Sequence, residues 1–171
     1  MTTEIDAAQQ AFRSRFVEIV HAAAEALLSH AGPEFQAQAE PPSSTIDSAA
    51  VVGFVGPNIR GMFFVGVDDE KIKALRAELY EDWVGELANQ LAGRVKNQLG
   101  RLGVSYDVSP PITLRGDWLR VATVSAQTSL AYSCLGGQCR VLVLLDVLQP
   151  TELKEVEANE APASEGDLVL F

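Results

Sequence analysis

Residues 81–111 read EDWVGELANQLAGRVKNQLGRLGVSYDVSPP, and the way this stretch folds decides how the rest is arranged. Val84, Leu87, Ala88, Leu91, Val95, Leu99 and Leu102 recur at intervals of three and four, the period of a helix that buries one stripe. Asp82, Glu86 and Asn89 fall on the other side. At about 100° per residue they lie within about 60° of one another. Three polar groups therefore share an outward face, and the core needs none of them. Gly93 lies within about 20° of Asp82 on the same stripe. A glycine inside a helix costs about 1 kcal/mol relative to alanine. Gly93 is either packed against a neighbouring element or kept bare for the close approach of a partner's backbone. Gly100 and Gly103 end the helix, and Pro110 and Pro111 close the stretch.

Upstream, Ile72, Leu75 and Leu79 share a face about 150° from that of Val84, Leu87, Leu91 and Val95, if the helix were continuous. One helix cannot bury both faces against one core, so a break is expected near Tyr80–Asp82. Asp82 then stands at the start of the second helix, where a carboxylate caps free N–H groups. Asp68-Asp69 opens the preceding helical stretch. Before it, Ala50–Val55 and Met62–Val67 are rich in Val and Phe, with the turn signal GPNIRG between them, and read as a β-hairpin. The chain opens with a helix: Thr3-x-x-Asp6, then Phe12, Phe16, Ile19, Val20, Ala23, Ala24, Leu27 and Leu28 at helical spacing, stopped by Gly32-Pro33. A loop with room for a short strand follows, to Ser48.

Downstream the pattern is of strands: Val104–Val108, Ile112–Leu114, Trp118–Val124, Ser129–Leu135 and Gln138–Leu148. Gly136-Gly137 is read as a two-residue hairpin turn. Such a turn sets Cys134 opposite Cys139, where a disulfide is geometrically open, although two thiols suit a reducing compartment. The order helix, hairpin, two helices, strand run predicts an α+β fold: a mostly antiparallel sheet with helices packed on one face. The apolar strand around Arg140–Asp146 would be a hazardous free edge in a monomer, which points to a homodimer.

The chain has 171 residues, 47% of them hydrophobic, and suits one domain with a sizeable core. We divide it into a domain over residues 1–150 and an acidic, flexible segment over 151–171, which has six acidic residues and one lysine. The net charge of −10 disfavours nucleic acid and anionic membrane as partners. No run of 18 apolar residues and no signal peptide is evident, and two cysteines are too few for a disulfide framework. A cytoplasmic location is expected.

The chemistry available is limited. Glu86 is an anion suited to a partner's lysine, and Asn89 carries an amide that donates and accepts, so it can orient a water. Neither is a good nucleophile. No Ser-His-Asp set, Cys-His pair, P-loop or metal-ligand cluster is present. The chain is therefore equipped to assist hydrolysis at another protein's site, not to run it alone.

The spacing Asp82-x3-Glu86-x2-Asn89, with Pro110 or Pro111 some twenty residues on, resembles the signature of the CheC/CheX/FliY family of bacterial chemotaxis phosphatases, which act on the phosphorylated response regulator CheY. GELANQLAGRVK is similar to that family's central helix and VSPPITLRG to the segment after it; the resemblance runs over roughly residues 5–148. It implies a CheX-like phosphatase in which Asn89 positions the attacking water and Glu86 pairs with the regulator's lysine. Mg²⁺ is then expected in the regulator's site, and no cofactor in this chain. Asp82 either caps the helix or contacts the partner; Gly93, Pro110 and Pro111 are assigned to partner binding, though the proline has a plainer role in shaping the chain. The alternatives are a non-catalytic CheX-like docking module and a motor-switch-type component. Ser14-x3-Glu18-x2-His21 repeats the template in the first helix with His in place of Asn, and is read as coincidence on an amphipathic helix.

Overall fold

The computed structural model describes residues 2–31, 36–38, 46–68, 80–119, 127–134, 137–149 and 153–154. Helix α1 spans Thr2–Ala31 and helix α2 Tyr80–Gly100. The strands are β1 (Gln36–Gln38), β2 (Ile46–Val55), β3 (Ile59–Asp68), β4 (Asp107–Val108), β5 (Ile112–Leu119), β6 (Gln127–Cys134) and β7 (Gly137–Val147). They form one sheet in the order β1-β6-β7-β3-β2, with β4 and β5 sharing the outer side of β2. Every described pairing is antiparallel. Helix α2 is described from Tyr80 onward; residues 69–79, on which the expected break depends, lie outside the described residues.

Side-chain alternation sorts the sheet into two faces. Val52 and Phe54 of β2, Ile59, Phe63, Val65 and Val67 of β3, and Val141, Val143 and Leu145 of β7 join both helices in one buried cluster. Both helices therefore lie on the same face. Phe16 of α1 stacks on Phe54 and Phe63, at ring-centroid distances of 5.8 and 6.3 Å. Burial of such a ring contributes about 1.5–3 kcal/mol. On the opposite face Ile46, Ala49, Phe64 and Leu142 form a smaller cluster, beyond which Val55, Met62, Ile112 and Leu114 stay exposed.

Several expectations need correction. The β2–β3 turn is shorter than GPNIRG, because Ile59 is wholly buried and Arg60 pairs with Val55; sheet pairing carries the strand through the polar signal. The strand expected over Val104–Val108 is reduced to β4, because the end of α2 consumes Val104. Val104 N–H donates to Leu99 O (3.0 Å) and Gly103 N–H to Gly100 O (3.0 Å), with Gly103 at φ 77°. This is a Schellman stop, which needs a residue without Cβ at Gly103. Ile112–Leu114 and Trp118 belong to a single strand, β5. Its pairing with β2 passes from Ser48↔Arg115 to Ile46↔Leu119, so an irregularity absorbs two extra residues between the two strands that were expected to be separate.

In the β6–β7 hairpin the register is Cys134↔Gly137 and Tyr132↔Cys139. Gly137 is therefore the first residue of β7 and not part of the turn, and the two cysteines are not opposite each other. Strand β7 lies between β3 and β6 and offers no free edge, which removes the edge argument for a homodimer. The helical stretch expected at Ile72, Leu75 and Leu79 and the strand end expected at Val124 lie outside the described residues. After β7, Leu153 packs against the main core and Lys154 N–H donates to Leu102 O (3.1 Å). Residues 155–171 are also outside the described residues.

Candidate functional site

Helix α2 is fixed before its outer face is considered. Val84, Leu87, Ala88, Leu91, Val95 and Leu99 are buried in the core. At its start the Tyr80 hydroxyl donates to Val67 O (3.2 Å), and Trp83 stacks on Tyr80 at 6.2 Å. Glu81 and Asp82 lie in the first turn, where negative charge suits the positive end of the helix dipole. The Schellman stop holds the other end. Side chains on this helix are therefore carried by a rigid element.

Asp82, Glu86 and Asn89 are all exposed on the side away from the sheet, as the spacing predicts. Glu86 Oε1 accepts a hydrogen bond from Gln90 Nε2 at 2.8 Å. The Asn89 amide bonds to no described residue. Gly93 shares the stripe, and a Cβ built there would meet no heavy atom within 4 Å. Packing therefore does not account for this glycine.

A second wall runs beside the helix. Arg115 Nη1 of β5 lies 3.0 Å from Glu81 Oε1. Two residues earlier, Thr113 Oγ1 would sit 3.3 Å from a Cβ on Gly85, so bare backbone at Gly85 lets β5 come close. Further on, Lys96 Nζ lies 3.9 Å from Asp107 Oδ1. These contacts run in one sense along both segments: 115 at 81, 113 at 85, 107 at 96. Pro110 and Pro111 lie in the chain between the last two of these contacts.

Ser109 fixes that wall. Strand β2 pairs with β4 through Phe54 and with β5 through Val51. In the gap Pro110 and Pro111 have no N–H to donate. Ser109 fills it: its N–H donates to Gly53 O (2.9 Å), its Oγ accepts from Gly53 N–H (2.9 Å) and donates to Pro110 O (3.0 Å). Sequence reading missed Ser109, Gly85, Thr113 and Gln90. A serine directly before two prolines at a sheet edge is the one local signal that pointed to such a bracket. On α1, Glu18 is bound by Arg15 at 2.8 Å and His21 lies 3.5 Å from Glu25, an ordinary solvated face. No group of three His, Cys, Asp or Glu among the described residues is arranged to hold a metal. No helix among them is long and apolar enough to cross a membrane.

Solved structures share this fold. CheX from Vibrio vulnificus is 18% identical with a TM-score of 0.63, over 77% of this chain and 96% of that one. A putative chemotaxis protein from Desulfovibrio vulgaris Hildenborough is 21% identical with a TM-score of 0.65, over 77% and 97%. CheX from Borrelia burgdorferi, crystallised as a CheX–CheY–BeF3–Mg²⁺ complex, is 17% identical with a TM-score of 0.66, over 76% and 97%. These likenesses are of fold, which is CheC/CheX-like. No curated protein matches the chain. The profile of the family described as chemotaxis phosphatase CheX matches residues 48–135, just over half of the 171 residues. That span holds most of β2, the whole of α2 with its polar stripe, and the segment Ser109–Pro111, and by it the chain belongs to the CheX family.

Proposed function

We propose that this chain is a phosphatase of a CheY-like response regulator, acting in the cytoplasm on an aspartyl phosphate held by the partner. The observation that carries this reading is the pair Glu86 and Asn89: exposed, three residues apart on a rigid helix, with the Asn89 amide unengaged by any described residue. Asn89 enters the regulator's site and its side-chain oxygen accepts a hydrogen bond from water, holding that water in line with phosphorus. The water oxygen forms the new P–O bond and the regulator's aspartate leaves as a carboxylate. Glu86 pairs with the regulator's lysine and fixes the register of docking. Mg²⁺ in the regulator's own site neutralises phosphoryl charge. Asp82 and Gly93 lie where the partner's surface would pass, and Pro110 and Pro111 border it. Positioning water supplies orientation that free solution lacks. The family match and the crystallised CheX–CheY complex of the same fold support this reading.

The test is phosphate release from phosphorylated regulators of the source organism. Asn89→Ala is expected to slow release by about 100-fold with the regulator still bound. Glu86→Ala is expected to weaken binding as well. Thermal stability should move by no more than about 0.5 kcal/mol in either. Full activity in both variants overturns the assignment; binding without release by the wild-type protein favours the docking-module reading. We also propose a homodimer, now supported by the exposed Val55, Met62, Ile112 and Leu114 on the face away from the helices.

A further inference from the structure

Glu86 has two amide donors within reach. Asn89 is three residues on and Gln90 four, both neighbour spacings on a helix. They lie on opposite sides of it: Asn89 about 60° one way around the axis, Gln90 about 40° the other. The carboxylate takes Gln90, at 2.8 Å, and the Asn89 amide bonds to no described residue. The two residues that the proposed reaction uses would otherwise satisfy each other. A carboxylate bonded to Nδ2 of Asn89 would turn the amide toward the helix surface and occupy both groups at once.

We propose that Gln90 is a positioning residue that draws Glu86 away from Asn89 and so keeps the Asn89 amide open for water. Gln90 touches neither water nor regulator in this account; it acts only through Glu86. A carboxylate has further lone pairs, so the bond to Gln90 leaves Glu86 Oε2 available for a partner's lysine. The inference rests on the phosphatase reading for its consequence but not for its geometry, which belongs to the protein alone.

The experiment pairs side-chain amide NMR of the unbound protein with phosphate-release kinetics for wild type, Gln90→Leu, Gln90→Lys, Glu86→Ala and Glu86→Ala/Gln90→Leu. Gln90→Leu keeps bulk and removes the donor. It is expected to move the Asn89 Nδ2 resonances and lower kcat by about twofold, the scale of one exposed helix pair, with KM unchanged. Gln90→Lys restores a donor to Glu86 and is expected to return the Asn89 resonances to their wild-type positions. In the Glu86→Ala background, Gln90→Leu should change neither readout, since the competing carboxylate is gone; this is the coupling a double-mutant cycle isolates. Asn89 resonances that ignore Gln90→Leu, or respond equally without Glu86, overturn the inference even if phosphatase activity is normal. The expected resonance changes together with no phosphate release by the wild type support the positioning role and overturn the phosphatase reading instead.

Discussion

Tyr106 stands just past the end of the site helix. Its hydroxyl is buried and has no hydrogen-bond partner among the described residues, while its ring packs on Phe54 at 5.5 Å. Burial pushes its pKa far above the ordinary phenol value. The fold therefore holds the neutral form. The associated stability is fully present below about pH 10, where the unfolded phenol begins to titrate, and is lost as the pH rises above that. Tyr106→Phe removes the orphan hydroxyl. It is expected to raise stability by about 1 kcal/mol at neutral pH and to flatten the alkaline fall in melting temperature, both read from melts across pH 7–11. Gly93 gives a second residue-scale prediction. With nothing within 4 Å of its would-be Cβ, Gly93→Ala should gain up to about 1 kcal/mol. Gly93→Leu should fold normally but block regulator binding, as thermal melts beside a binding titration would show. Single residues were legible where a period put them on a face, as for Asp82, Glu86 and Asn89. Gln90 was invisible because its part depends on which of two donors a carboxylate chooses, and spacing allows both.

At the scale of elements, the two described helices were legible because each shows one unbroken apolar stripe. The strands were less so. The turn signal GPNIRG and the gap between Ile112–Leu114 and Trp118 were overridden by pairing with β2, β3 and β7, which no local pattern reveals. The cysteine register failed for the same reason: a hairpin's turn is chosen by the length of the paired strands as well as by its glycines. The element most exposed to a single change is the C-terminal stop of α2. Gly103 sits at φ 77°, where a Cβ costs about 1–2 kcal/mol. Gly103→Ala should lower stability by about that much in chemical unfolding, and should also reduce activity by loosening the helix that carries Asn89. The proline wall offers a contrasting case. Ser109→Ala should cost about 1 kcal/mol through the stranded Gly53 amide, with faster hydrogen exchange at Gly53 as its direct sign.

For the whole molecule, an α+β order with one antiparallel sheet follows from the succession of stripes and alternations. The depth at which each strand lies within the sheet does not, and β7 turned out central. The proposed homodimer is checked by light scattering at micromolar concentration; a monomer overturns it. The end of the domain is checked by truncation. Removal of everything after Lys154 should leave the melting temperature unchanged. Ending the chain at Gln149 uncovers the site that Leu153 fills and should cost about 1–2 kcal/mol. That closing contact has a mechanical side. Lys154 is bonded to Leu102, at the foot of the helix that bears Asn89. A load hung on the chain beyond Lys154, such as a fusion, a surface tether or an optical-trap handle, is shared between that bond and the covalent path back to β7. A protein anchored through this end would carry part of the tension to the foot of the helix that bears Asn89, whereas a handle at the β2–β3 turn would load the sheet directly.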